Sequence, residues 1–141
     1  MGNSDGFSDA EMQAMRERAA ELRAERGGKK KADNLQALLN KIAGLEGDDQ
    51  KIGVLLHQVV TEVAPHLAPR TWYGMPAYEI DGKVLVFFQP SSQFGVRYST
   101  IGFQDNAVLD DGDMWPISYA VPAYTEALRD KLVELVTRAL G

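Results

Sequence analysis

The chain has 141 residues, a net charge of −5 and no cysteine. Disulfides, thiolate metal sites and cysteine nucleophiles are therefore excluded, and the length fits one domain with an adequate core. No apolar run approaches the roughly 20 residues of a membrane span, and the polar N-terminus lacks the apolar segment of a signal peptide, so we expect a cytoplasmic protein without a membrane partner.

Residues 1–32 are predicted to form an N-terminal helix and a basic linker. Ser8, followed three residues later by Glu11, has the spelling of a capping box, which predicts a helix over 9–26. The apolar stripe of this helix is thin, as is typical of a helix that docks lightly or projects from the domain. The three lysines at 29–31 are either a solvated linker or a short contact for nucleic acid.

Residues 33–141 are predicted to form a single domain that begins with two helices. Asp33 is placed to cap a helix over 34–43, and Asp48 or Asp49 is placed to cap the next helix. The apolar residues of the second helix recur at helical spacing over a broad stripe. We therefore expect it to pack on a sheet.

The strongest turn signal in the chain is Asp81-Gly82. It separates the β-forming residues 78–80 from the run 83–88, and both turn residues tolerate the positive φ of a type I′ hairpin. Because five consecutive residues of the second run are apolar, we expect a strand that is covered on both faces or central in its sheet.

Further strands are predicted on both sides of this hairpin. Gly74 and Pro76 indicate a bend or a bulge after a strand at 71–73. Alternation over 93–99 predicts another strand, and 114–120 predicts one at an edge of the sheet, since it contains a proline.

A C-terminal amphipathic helix, with Thr125 as its candidate cap, closes the chain. The order of helices, then strands, then a helix predicts an α+β fold. We expect an antiparallel sheet of four to five strands with helices packed on one face, an N-terminal helical extension and the C-terminal helix.

The sequence Tyr73-Gly74-Met75-Pro76-Ala77-Tyr78, followed by the Asp-Gly turn and an apolar strand, resembles the YdhG-like family of small bacterial domains of unknown function. The likeness runs from Leu45 to Leu140 and includes the Asp-rich loop before Met114-Trp115-Pro116. It implies the α+β fold predicted above. Some members of the family are described as frataxin-like iron chaperones, so the resemblance also implies iron as a cargo.

The densest group of carboxylates is Asp105, Asp110, Asp111 and Asp113. Hard cations take several oxygen ligands on a flexible loop, but this spacing matches no EF-hand, and Asp-Gly is also ordinary turn chemistry. We expect no tightly bound cofactor. Weak, labile iron binding by these four carboxylates is what the family resemblance implies.

Eleven of the twelve aromatic residues fall between Trp72 and Tyr124. Aromatic clusters line ligand pockets and also fill small cores. Arg97 lies among them in a predicted strand, where it pairs with a ligand carboxylate or with Glu79. The candidate ligand-binding residues are Trp72, Tyr73, Tyr78, Arg97, Tyr98 and Trp115.

Little in the sequence indicates catalysis. His57 and His66 are the two histidines, and neither has a partner at metal-ligand spacing. There is no Gly-x-Ser-x-Gly and no phosphate-binding glycine loop, so we nominate no catalytic residue and lean against an enzyme. Residues 71–125 hold six carboxylates against Lys83 and Arg97, which argues against nucleic acid as a partner.

Three hypotheses follow from these patterns. The first is a non-enzymatic binding protein that handles iron as a frataxin-like intracellular chaperone. The second is a small-molecule-binding module with an aromatic pocket. The third is a protein–protein interaction module in which a sheet edge or the N-terminal helix contacts another chain, a second copy included.

Overall fold

The computed structural model describes residues 6–28 and 31–141 of the chain, so two lysines of the predicted linker lie outside the described residues. The helices are α1 (Asp9–Arg26), α2 (Lys31–Ala43), α3 (Gly47–Val63), the short α4 (Ser91–Phe94) and α5 (Leu128–Ala139). The strands are β1 (Ala68–Trp72), β2 (Met75–Ile80), β3 (Lys83–Gln89), β4 (Ser99–Phe103) and β5 (Ser118–Val121). Within the described residues no helix is long and apolar enough to cross a membrane.

The five strands form one antiparallel sheet in the order β1-β2-β3-β4-β5, so each strand pairs with its neighbour in the chain. This confirms the predicted α+β class and the central position of β3. Helix α3 lies against one face of the sheet, where its Gly53 approaches Phe88 and its His57 contacts Tyr78.

Two hairpin turns of the same kind connect the first three strands. Asp81 and Gly82 have φ of 52° and 81°, as the type I′ prediction requires. Tyr73 and Gly74 have φ of 53° and 75° and form a second such turn between β1 and β2. The bend expected between Gly74 and Pro76 is therefore a tight turn one residue earlier, and the strand before it ends at Trp72.

The capping box of α1 is confirmed in both directions. The Ser8 hydroxyl accepts from the Glu11 backbone N–H at 3.1 Å, and the Glu11 carboxylate accepts from the Ser8 N–H at 2.9 Å. Of the residues of α1, only Ala14 is buried, so the expectation of a lightly docked helix is also confirmed. The helix reaches the body of the protein at the β1–β2 hairpin.

The strand predicted over 93–99 is wrong. The chain forms α4 there, turns at Gly95 with φ of 64°, and enters β4 at Ser99. The reason lies outside the segment, because Asp49 of α3 accepts from the backbone N–H of Ser92 at 3.0 Å and so caps the start of α4.

Other predicted boundaries also moved. Asp33 lies inside the first turn of α2 and not at its N-cap position, and Glu46 is the N-cap residue of α3 without a side-chain hydrogen bond. The N-cap residue of α5 is Ala127, which lies two residues beyond the candidate cap Thr125. The strand predicted over 114–120 shrinks to β5, since Pro116 has no N–H to give to a sheet.

The hydrophobic core lies between one face of the sheet and helices α2, α3 and α5. Its fully buried members include Leu38 of α2, Ile52 of α3, Phe88 of β3, Ile101 of β4 and Leu132 of α5. The described core cluster contains no residue of α1. Burial of apolar surface therefore holds residues 31–141 together, while α1 contributes only Ala14 to the buried apolar residues.

Candidate functional site

The two faces of the sheet carry different chemistry. Cross-strand partners share a face of a sheet, so Ala77, Phe87 and Gly102 lie together on one face. Gln89 and Thr100 form the next pair of β3 and β4 on that same face. We call the face that carries these five residues the outer face. The opposite face packs on α3 and is part of the core.

The outer face has an aromatic floor formed by Phe87 and Trp72, whose rings are tilted by 59° to one another. The ring of Phe87 lies directly over Gly102, where an added Cβ would come within 2.3 Å of the Phe87 Cζ. Trp72 packs against the same ring, with ring centroids 5.5 Å apart. Because Gly102 has no side chain, the Phe87 ring can lie close to the backbone of β4.

Arg97 and Tyr98 lie beside this floor, on the segment between α4 and β4. The Arg97 guanidinium stacks over the Tyr98 ring at 5.0 Å from its centroid. Together with Gln89, Val96 and Thr100 these two residues line a cavity of about 340 Å³. The cavity offers a cation, a flat ring, an amide and a hydroxyl, which are the groups that orient a small polar ligand.

Trp72 and Tyr73 form a separate aromatic group at the β1–β2 turn. Their rings meet edge to face at 5.1 Å, and Arg18 of α1 lies 5.7 Å above the Tyr73 ring. Trp72 also borders a second cavity of about 250 Å³, which has Arg70 and Asp105 in its wall. In this cavity Arg70 is already neutralised, because it pairs with Glu25 and Glu79.

The remaining two predicted ligand residues belong to the core. Tyr78 is 1% exposed and its hydroxyl lies 3.0 Å from Nδ1 of His57. Trp115 is half-buried and packs against the core cluster. Burial lowers the pKa of His57 and raises that of Tyr78, since both charged forms lose hydration.

The structure thus divides the six predicted ligand residues among three places. It brings Arg97 to Tyr98 and Trp72 to Tyr73, while Tyr78 and Trp115 serve the core. The alternative pairing of Arg97 with Glu79 is wrong, because Glu79 pairs with Arg70 at 3.3 Å across the β1–β2 ladder. A single cavity edged by all six is not formed.

The four carboxylates of the predicted iron site all lie on the surface, and Asp105 borders the cavity beside Trp72. Asp110, Asp111 and Asp113 are exposed in the loop that precedes β5. Within residues 6–28 and 31–141 no three His, Cys, Asp or Glu side chains are grouped to hold a metal. Labile iron binding stays a prediction to which this geometry adds no support.

A polar cluster around Asp49 is not indicated by any local pattern of the sequence. Asp49 is 8% exposed, and its carboxylate accepts from the hydroxyls of Ser92 and Ser99, each at 2.6 Å. Ser91 approaches the same carboxylate at 3.4 Å. Burial raises the pKa of Asp49, but the hydrogen bonds from Ser92 and Ser99 outweigh it and lower the pKa below its ordinary value.

A groove of about 1010 Å³ lies between α1, α2, the loop from α2 to α3, and α4. Its walls carry Glu17 and Lys41, which form an ion pair at 3.0 Å, together with Asn40, Ser92 and Gln93. Gln93 reaches across to the β1–β2 turn and donates to the Gly74 carbonyl at 3.1 Å. The groove therefore follows the line along which α1 meets the domain.

Comparison with protein-family models, with curated proteins and with solved structures finds no match for this chain. The likeness to the YdhG-like family accordingly stays a prediction.

Proposed function

We propose that this protein is a non-enzymatic binding protein for a small ligand that carries an anionic group and a flat apolar group. The ligand lies in the cavity formed by Arg97, Tyr98, Gln89 and Thr100 on the outer face. The anionic group pairs with the guanidinium and the flat group rests against Tyr98 and Phe87.

The proposal depends on the fact that the Arg97 guanidinium pairs with no carboxylate of the described residues. Residues 32–141 contain four arginines, and three of them pair with carboxylates: Arg70 with Glu25 and Glu79, Arg129 with Glu62, and Arg138 with Glu134. Arg97 is exposed and pairs with no carboxylate of the described residues, although the chain has an excess of acidic groups. A guanidinium held over a ring and left free of counter-charge suits a carboxylate or a phosphate.

The neighbours of Arg97 support the same ligand class. Gln89 and Thr100 are cross-strand partners and place an amide and a hydroxyl beside the guanidinium. Phe87 and Gly102 are the adjacent pair on the same face, so an extended ligand that pairs with Arg97 can reach the aromatic floor. A cavity of about 340 Å³ lies at the small end of the range for small-molecule sites.

Titration with phenyl phosphate tests the proposal, because this probe joins a flat ring to an anion. We expect the backbone amide signals of Arg97, Tyr98 and Thr100 to shift in a saturable way, and benzyl alcohol to leave them unchanged. Arg97→Gln should weaken binding by about tenfold or more, as loss of a charge-assisted hydrogen bond predicts. Arg129→Gln removes an exposed arginine of the same charge and should leave binding unchanged.

Two results would contradict this function. One is a set of shifts spread evenly over all basic residues, which indicates non-specific attraction of the anion. The other is equal affinity of the wild-type protein and Arg97→Gln for phenyl phosphate.

A further inference from the structure

The β1–β2 turn holds a carboxylate by its backbone. Both residues of the turn, Tyr73 and Gly74, have left-handed φ, which turns their N–H groups toward one point. The carboxylate of Glu21 occupies that point and accepts from the Tyr73 N–H at 3.0 Å and from the Gly74 N–H at 3.1 Å. The Glu21 side chain is only 9% exposed, so this contact is largely withdrawn from water.

Glu21 is the middle member of a regular series on α1. Glu17, Glu21 and Glu25 are spaced four residues apart and therefore lie on one side of the helix. We call these three residues the carboxylate stripe. Each meets a donor of the domain: Glu17 meets Lys41 at 3.0 Å, Glu21 meets the turn, and Glu25 meets Arg70.

The attachment of α1 depends mainly on these polar contacts, because Ala14 is its one buried residue. Met15 and Leu22 of α1 are 41% and 38% exposed, and the core cluster takes no residue from the helix. Burial raises the pKa of Glu25, but the hydrogen bonds and charges of Arg70 and Arg18 outweigh it and lower the pKa. An attachment made of ion pairs and charged hydrogen bonds is weakened by salt and can be exchanged for a similar one.

We propose that Lys41, the Tyr73-Gly74 turn and Arg70 form a recognition site for an acidic helix of a partner protein, and that α1 fills this site in the free protein. The partner helix carries three carboxylates at four-residue intervals, matched to the three donors in the order in which α1 matches them. The geometry of α1 shows which spacing the site accepts. The site is separate from the proposed small-ligand cavity, so each assignment can fail without the other.

The exchange can be tested in the full chain with its own helix disabled. The triple variant Glu17→Lys, Glu21→Lys and Glu25→Lys places like charges opposite Lys41 and Arg70 and should release α1. We expect this variant to bind a fluorescent peptide of residues 7–28, with shifts of the Tyr73 and Gly74 amide signals. The wild-type protein should not bind the peptide, because its own α1 occupies the site.

A peptide with glutamine at the three positions of the carboxylate stripe is the matched control. It should bind the triple variant about tenfold or more weakly than the acidic peptide, since charged hydrogen bonds are lost. Failure of the triple variant to bind the acidic peptide, or equal binding of both peptides, would overturn the site. Sedimentation of the wild-type protein tests a different occupant. If the wild-type protein is a dimer and Glu21→Lys abolishes it, the occupant of the site is a second copy, and the assignment to a partner protein is overturned.

A charge exchange tests the register independently of the peptide. Arg70→Glu should lower the hydrogen-exchange protection of α1 amides. Adding Glu25→Lys should restore part of it, because the pair between positions 70 and 25 is re-formed with reversed charges, while Glu79 and Arg18 then lie beside like charges. Arg129→Glu, which breaks the pair with Glu62 on another surface, should leave α1 protection unchanged. Absence of restoration in the exchanged pair would overturn the matched arrangement of donors and carboxylates.

Discussion

The hydroxyl oxygen of Tyr78 lies 3.0 Å from Nδ1 of His57, where a strand of the sheet meets the middle of α3. Tyr78 is 1% exposed, and burial raises its pKa, so its hydroxyl stays protonated and needs an acceptor. Burial lowers the pKa of His57, and a neutral imidazole supplies the acceptor. A protonated imidazole has no free lone pair for the phenol.

We expect this pair to make the free energy of unfolding depend on pH. The pKa of His57 is lower in the folded protein than its ordinary value of 6.5, so the unfolded chain takes up the proton first. The contribution of the His57–Tyr78 pair to the free energy of unfolding is therefore complete above pH 6.5 and is lost as the pH falls toward the pKa of His57 in the folded protein. His57→Gln keeps an acceptor for Tyr78 but does not titrate, so the free energy of unfolding should change less from about pH 7.5 to about pH 5.

Urea denaturation at several pH values measures this difference. His66→Gln is the control, since it removes the other, exposed histidine and leaves the contact with Tyr78 intact. The control should retain the pH dependence of the wild-type protein. A slope in His57→Gln equal to that of the wild-type protein would show that the pair does not cause the dependence.

Asp49→Asn should destabilise the fold by about 1.5–3 kcal/mol, the range for hydrogen bonds to a charged group. The neutral amide retains one oxygen for three close donors: the Ser92 N–H and the Ser92 and Ser99 hydroxyls. Because the pKa of Asp49 is lowered when folded, the difference from wild type should shrink as the pH falls below its ordinary value of 3.8. Guanidinium denaturation measures both effects.

The neighbouring carboxylate supplies the control for this variant. Asp48 precedes Asp49 in the first turn of α3 and is exposed. Asp48→Asn should change the free energy of unfolding by less than about 0.5 kcal/mol, as is usual for a surface substitution. Equal losses in the two variants would mean that the charge at the start of α3 matters and the serine contacts do not.

Structural elements that depend on a few adjacent residues could be predicted from the sequence, whereas elements that depend on contacts with distant residues could not. The capping box at Ser8 and the turn at Asp81-Gly82 each depend on a few consecutive residues, and both are confirmed. Helix α4 replaced a predicted strand because Asp49, more than 40 positions earlier, caps it. No local pattern in the segment indicates that contact.

The division of the aromatic candidates has a similar cause. Trp72 pairs with Met75 and Tyr78 pairs with Pro69, and these two pairs fall on opposite faces of the sheet. Which face each residue takes depends on where the Tyr73-Gly74 turn begins. The sequence placed the bend at Gly74 to Pro76, and a shift of one residue in a hairpin exchanges the two faces.

Gly102→Ala should lower the free energy of unfolding by about 1–3 kcal/mol, the usual cost of overpacking. Its Cβ would come within 2.3 Å of the Phe87 ring, so the ring must leave the backbone of β4 or the strands must separate. Since Trp72 contacts the same ring, its fluorescence should change as well. Phe87→Leu in the same chain should recover part of the loss, and a further loss in the double variant would contradict the steric cause.

Gly74→Ala and Gly82→Ala form a matched comparison, because both glycines are the second residue of a hairpin turn, with φ of 75° and 81°. Each substitution should cost about 1–2 kcal/mol for the left-handed backbone alone. A Cβ at Gly82 meets nothing within 4 Å, whereas one at Gly74 would lie 2.6 Å from the Glu17 carboxylate. Gly74→Ala should therefore displace Glu17 and break its pair with Lys41.

The additional loss in Gly74→Ala should be below about 1 kcal/mol, because the Glu17 side chain is flexible and its pair with Lys41 is partly exposed. Repeating both substitutions in a Glu17→Ala background isolates this additional loss of stability, since the obstructing carboxylate is then absent. In that background the two alanine variants should lose equal stability by chemical denaturation. If Gly74→Ala still loses more stability than Gly82→Ala in the absence of the Glu17 carboxylate, the additional loss arises in the turn itself and not from the contact with α1.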